Sequence, residues 1–218
     1  MHGRYCAPPP SCSVSVKLHA FAAILVGVIV LLDSVALAQA EEKRIALDHP
    51  LILTDADGKT VTSDRFPGKW LLVYFGYTHC ADQCPTALSA IVEALDEIGP
   101  AAQHIQPLFV TVDPERDHGP ALPDFTAAFD KRLVGLTGSP EQIAAAAQAL
   151  GIEYRKVLGG GDDYVIDHSA TLTLIGPGRH EAVTFDIAEP YRIAARLIEA
   201  LAGAGLALGD VNNLRAYR

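Results

Sequence analysis

Apolar positions fall into three patterns along the chain, and each pattern predicts a different kind of element. Leu18–Leu32 (LHAFAAILVGVIVLL) is an almost unbroken apolar run, preceded by Arg4 and Lys17 and followed by Ala36-Leu37-Ala38-Gln39-Ala40. A positive flank, a short apolar core and a small-residue site together describe a secretory signal peptide. The run is short for a membrane span, which needs about 20 apolar residues. Extension through Ala36–Ala38 keeps an uncleaved anchor as the alternative. Either outcome places the rest of the chain outside the cytoplasm, and for a bacterium that means the periplasm, free or tethered to the inner membrane.

The second pattern is a short apolar or alternating run bounded by turn residues, which predicts strands. Leu51–Thr54 and Thr60–Thr62 flank Asp55-Ala56-Asp57-Gly58 and predict a β-hairpin. Trp70–Tyr77 (WLLVYFGY) predicts a buried central strand, and Gln106–Val112 a second. Shorter strands are expected at Leu133–Leu136, Tyr154–Val157, Thr171–Ile175 and Ala182–Phe185.

The third pattern has helical period. Pro85–Ile98 places Leu88, Ile91, Val92 and Leu95 on one face and stops at Gly99-Pro100. Leu122–Phe129 predicts a second helix. Ser139-Pro140-Glu141-Gln142 opens a third, with a serine cap and a proline at its first position, running to Leu150. Pro190–Ala202 predicts the last. Strands alternating with helices and closing on a hairpin and a helix specify an α/β domain, a mixed central sheet flanked by helices with an N-terminal β-hairpin extension. The expected organisation is a signal peptide or anchor at 1–40, one domain at 41–203 and a tail at 204–218.

Charge narrows the function. The formal net charge is −9, and losing Arg4, Lys17 and Asp33 with the leader makes it −10. An acidic exported domain is a poor partner for nucleic acid and suits a basic patch on a protein. Cysteine narrows it further, because Cys6 and Cys12 lie in the leader and only Cys80 and Cys84 remain. Two cysteines do not make the multi-bridge framework of a small secreted scaffold.

The pair lies just past the central strand, in Thr78-His79-Cys80-Ala81-Asp82-Gln83-Cys84-Pro85. Proline disfavours helical geometry at Cys84 and suits a helix's first turn, so Cys84 is expected to cap the helix with Cys80 in the loop before it. The positive potential of a helix N-terminus lowers a thiol's pKa and favours thiolate. A three-residue spacer fits a disulfide, structural or redox-active, and equally a soft-metal site; two thiolates favour Cu(I), and an added imidazole makes an S₂N set that also holds Cu(II). Zinc in a structural site wants a fourth ligand, and no second cysteine pair supplies it.

Four blocks then identify a resemblance. Trp70–Pro85 (WLLVYFGYTHCADQCP), Phe109–Asp117 (FVTVDPERD), Leu133–Gln142 (LVGLTGSPEQ) and Tyr164–Ser169 (YVIDHS) are similar, in order, to those of the Sco/SenC family across nearly all of Leu51–Leu201. The resemblance implies a thioredoxin-like fold, one copper ion, Cu(I) or Cu(II), on Cys80, Cys84 and His168, and a part in maturing the binuclear copper centre of cytochrome c oxidase subunit II. A periplasmic copper donor and a thiol reductant are the further partners it implies. Ala81 stands where many members carry proline.

Around these ligands, Asp167 is expected to fix the His168 ring as an acceptor or else to serve a turn, and His79 to play a structural or outer role. Asp113, Glu115, Arg116 and Asp117 follow a strand, where they form a docking rim or the solvent-exposed charges of a turn. His49, His104, His118 and His180 show no partnering pattern. The rival function is a thiol-disulfide reductase using Cys80 and Cys84 as its redox pair without His168. A peroxiredoxin is disfavoured because Thr78 lies two residues before Cys80, outside the P-x-x-x-T-x-x-C setting, and a typical thioredoxin because C-x-x-C is missing.

Overall fold

A computed structural model describes residues 43–158, 164–187 and 190–206. The leader and most of the tail lie outside them. Among the described residues no helix is long and apolar enough to cross a membrane.

The chain order is β1 (Lys43–Ala46), β2 (Ile52–Thr54), β3 (Thr60–Thr62), β4 (Trp70–Gly76), α1 (Gln83–Glu97), β5 (Ile105–Thr111), α2 (Ala121–Phe129), β6 (Val134–Leu136), α3 (Pro140–Leu150), β7 (Tyr154–Leu158), β8 (Tyr164–His168), β9 (Thr171–Ile175), β10 (Glu181–Asp186) and α4 (Pro190–Gly203). Six strands form one sheet in the order β1-β10-β9-β4-β5-β6. β4, β5 and β6 run parallel, while on the other side of β4 the strand β9 runs antiparallel to it and β10 antiparallel to β9. This is the thioredoxin-like arrangement the resemblance implies, and the expected β2–β3 hairpin forms its own two-stranded sheet.

The uninterrupted apolar run of β4 follows from its central place, with neighbours on both edges and packing on both faces. Leu71 and Val73, with Leu108 and Val110 of β5, line the space beneath Leu53 and Val61 of the hairpin. On the other face Tyr74 pairs in register with Phe109, and Cys84 of α1 lies against Gly76. Ala87, Leu88, Ile91, Ala94 and Leu95 make the buried stripe of α1, which packs alongside α4. Burying each such leucine or isoleucine contributes about 1.5–3 kcal/mol. α3 has the expected Ser139 cap and Pro140 at its start; Gln142 completes a capping box, and Gly151 in the left-handed conformation ends the helix.

Two strands were not legible in the sequence pattern. β1 is a four-residue edge strand with three exposed residues, too short and too polar for an alternation to register. β8 pairs with β7 away from the main sheet, so only Ile166 of its five residues is buried. This outlying hairpin leaves Val157, Leu158 and Val165 exposed.

The topology gathers three chain segments at one end of the sheet. Parallel β4 and β5 deliver their following loops to the same end. β9 runs opposite to β4, with Leu172 beside Tyr74, so the residues just before β9 arrive at that end too. Those residues are His168 and Ser169.

Candidate metal centre

α1 begins two residues earlier than proline chemistry suggests, at Gln83. Cys84 is therefore inside the first turn and not its cap. Pro85 is tolerated there because the first-turn N–H groups have no partner within the helix. Asp82 occupies the cap position without a side-chain capping bond. The Cys84 N–H instead points at Cys80 Sγ, 3.4 Å away. The thiol of Cys80 takes one of the orphan donors of the helix.

This arrangement splits the two thiols, where the sequence suggested that the helix end lowers both. Cys80 is half-buried, and desolvation opposes its ionisation. Hydrogen bonds from Cys84, Asp82 and Gln83 outweigh that penalty and hold its pKa below the ordinary thiol value. Cys84 is fully buried against Gly76 and Phe109. Burial, with Cys80 adding to it, pushes its thiol up to about 12. Both are free thiols.

His168 ends β8 with Nε2 3.7 Å from Cys84 Sγ. Its Nδ1 lies 3.1 Å from the Ser169 carbonyl oxygen. A carbonyl can only accept, so Nδ1 carries the proton and Nε2 of the neutral ring turns its lone pair toward the thiol. Tyr74 and Tyr77 hold the ring by edge contacts, with centroids 6.0 and 6.1 Å away. The orienting acceptor is thus a backbone carbonyl and not Asp167, which is exposed and pairs with Arg155 at 2.8 Å. An alternating strand explains this, since Asp167 and His168 point to opposite faces.

Cys84 stands between its two partners. Among the described residues no group of three or more His, Cys, Asp or Glu side chains is arranged to hold a metal ion as it stands. Two soft thiols and one imidazole lone pair nevertheless form a donor set suited to copper, and closing it calls for a local adjustment of the Cys80 loop or of β8.

His79 is mostly exposed, its Nδ1 3.0 Å from the Thr78 hydroxyl and 3.7 Å from Asp117 Oδ1, in keeping with an outer place. The acidic loop is neither a rim nor a solvated turn at two of its positions. Asp113 and Asp117 are fully buried, and only Glu115 is exposed, paired with Lys156 at 2.6 Å. Hydrogen bonds explain how carboxylates tolerate that burial. Asp117 accepts from the Thr78 N–H at 2.8 Å, the Thr78 hydroxyl at 2.5 Å and the Thr111 hydroxyl at 2.6 Å. Asp113 accepts from the Tyr164 hydroxyl at 2.7 Å and pairs with Arg116.

Tyr74, Tyr77 and Tyr164 also belong to the site, although no motif marks them in the sequence. A buried tyrosine needs a partner for its hydroxyl, and two of them in a run of aliphatic residues were the available clue. Tyr77 is linked to the Ile166 backbone and the Cys80 thiol, and Tyr74 to the Cys84 thiol.

A thioredoxin-like domain with two thiols and one imidazole converging beyond its central strand defines a dithiol–histidine protein. The chain belongs to the SCO1/SenC family, whose profile matches residues 39–203. It is 38% identical over 135 residues to protein SCO1 homolog 1, mitochondrial, of Arabidopsis thaliana, a match covering 62% of this chain and 40% of that protein. The chain therefore spans less than half the length of this curated relative. Among solved structures, Bradyrhizobium japonicum ScoI with copper bound is 36% identical with a TM-score of 0.63, covering 71% of this chain and 98% of the other. Copper-bound Arabidopsis thaliana ScoI is 32% identical with a TM-score of 0.67, covering 72% and 99%.

Proposed function

We propose that this protein is an exported copper metallochaperone that carries one ion on Cys80, Cys84 and His168 and helps assemble cytochrome c oxidase, at the binuclear copper centre of subunit II. The observation that carries the reading is the 3.7 Å approach of His168 Nε2 to Cys84 Sγ with the Nδ1 proton committed to Ser169. A reductase has no need of an imidazole lone pair aimed at its buried thiol. A copper carrier does, because nitrogen completes a set that serves both oxidation states. The copper-bound relatives support the same cargo, and membership of the SCO1/SenC family supports a part in oxidase assembly. The leader pattern at 1–40 supports export.

One observation favours the second reading. A half-buried, acidified Cys80 beside a fully buried, high-pKa Cys84 is the division of labour between an attacking and a resolving thiol. Such a protein keeps the copper-ligand cysteines of its partner reduced. His168→Ala separates the two roles. In cells lacking the native gene, the variant is expected to lose oxidase assembly while its Cys80–Cys84 dithiol still exchanges with a model disulfide. Fractionation of the same cells should find the processed chain in the periplasm. Full oxidase activity with His168→Ala contradicts the carrier, and retention of the chain in the cytoplasm contradicts export.

A further inference from the structure

The loop between β5 and α2 touches both the Cys80 loop and the strand that ends in His168, and supplies none of the proposed ligands. On one side Asp117 takes both the N–H and the hydroxyl of Thr78, two residues before Cys80. A third bond, from the Thr111 hydroxyl, anchors the same carboxylate to the end of β5. On the other side Asp113 accepts from the Tyr164 hydroxyl at the start of β8, the strand that ends in His168. Arg116 pairs with Asp113, donates to the Tyr164 carbonyl oxygen at 3.2 Å and lies 3.8 Å from the Tyr164 ring centroid. The Asp113 backbone N–H, in turn, donates to the Thr111 hydroxyl at 2.9 Å, so the Asp117 carboxylate and the Asp113 main chain share one anchor.

Burying a carboxylate costs several kcal/mol unless its oxygens are well satisfied. Two fully buried carboxylates four residues apart are far more than a turn requires. Their donors come from segments that are otherwise separate. β7 and β8 form a sheet of their own, and the Cys80 loop belongs to neither sheet. Burial and Asp113 together push the Tyr164 phenol up to about 12, which keeps it a donor across the working pH range.

We propose that Asp113, Arg116 and Asp117 are positioning residues that form a two-armed brace. Asp117 sets the Cys80 loop through Thr78. Asp113 and Arg116 set the His168 strand through Tyr164. Each arm acts on one donor, and the common anchor at Thr111 fixes the distance over which the three donors close. The copper consequences rest on the carrier reading above, whereas the mechanical ones do not.

Two conservative variants separate the arms. Tyr164→Phe removes one hydroxyl from the His168 arm, and Thr78→Val removes one from the Cys80 arm. Arg155→Ala breaks the exposed pair with Asp167 on the same hairpin and is the control. Two measurements are made on the full chain without metal: hydrogen exchange of the amides at 164–168 and the alkylation rate of Cys80. Losing a hydrogen bond to a charged group should raise β8 exchange by roughly tenfold in Tyr164→Phe. Cys80 alkylation should stay within about twofold of the parent there, because the other arm is intact. Thr78→Val should do the reverse, changing the alkylation rate by at least about fivefold with β8 exchange unmoved. With Cu(II) added, Tyr164→Phe should broaden or reduce the nitrogen hyperfine pattern of the electron paramagnetic resonance spectrum, and Arg155→Ala should not. Parent-like exchange and parent-like spectra in a folded Tyr164→Phe would falsify the brace, as would equal responses of both readouts to both variants. If the parent itself shows no nitrogen-coupled Cu(II), the carrier reading fails, and the metal-free measurements still judge the brace.

Discussion

At the scale of single residues, the functional difference between Cys80 and Cys84 comes from which of them meets the helix end and which meets the core. The positive end of α1 reaches Cys80, whose sulfur lies outside the first turn and accepts from it. Cys84 is carried inside, where desolvation dominates. Iodoacetamide at neutral pH is therefore expected to modify Cys80 first, with an apparent pKa below that of a free thiol, and to leave Cys84 unmodified until the fold opens. Mass spectrometry of the partially alkylated chain checks this. Faster labelling of Cys84 would contradict the assignment of roles. The same shift has a linked effect on stability. The folded pKa of Cys84 lies above the unfolded value of about 8.5, so the folded state binds this proton more tightly. Its contribution is full below that unfolded value and is lost as the pH rises toward about 12.

At the scale of elements, the end of β4 shows how sheet geometry constrains the thiol. A Cβ at Gly76 would lie 2.8 Å from the Phe109 ring, closer than packed atoms approach, and in tight contact with Cys84 Sγ at 3.0 Å. Gly76→Ala should cost about 1–3 kcal/mol in unfolding free energy through overpacking. It should also weaken copper loading by displacing Cys84 or turning the Phe109 ring. Chemical denaturation and copper titration of one preparation test both effects, and a variant unchanged in the two would mean that the space is easily relieved.

The elements also explain what the sequence made legible. β4, α1 and α3 could be read because each carries a pattern matched to its own burial, and the four family blocks brought Cys80, Cys84 and His168 together as candidates. The missing parts depended on long-range contacts. β8 buries only Ile166, so its alternation carries little contrast. Asp113 and Asp117 read as turn residues because their partners, Tyr164 and Thr78, lie 51 and 39 positions away. Asp167 stands next to the histidine in the chain and on the opposite face in space. Cys84 moved into the helix because Cys80, not a conventional capping side chain, satisfies its N–H.

At the scale of the whole molecule, the thioredoxin-like topology places the ends of β4 and β5 and the start of β9 at one end of the sheet, which is why residues as distant as Cys80 and His168 share a site. Whether Cys80, Cys84 and His168 hold one copper ion is decided by quantitative metal loading of the reduced protein. Copper-to-protein ratio and the Cu(II) spectrum are measured for the parent and for Cys80→Ser, Cys84→Ser and His168→Ala. One copper per chain is expected in the parent, with loss of tight binding of both oxidation states in either serine variant. His168→Ala should retain Cu(I) and lose Cu(II) first. Stoichiometric, high-affinity copper in Cys84→Ser, or an unchanged Cu(II) spectrum in His168→Ala, would contradict this ligand set.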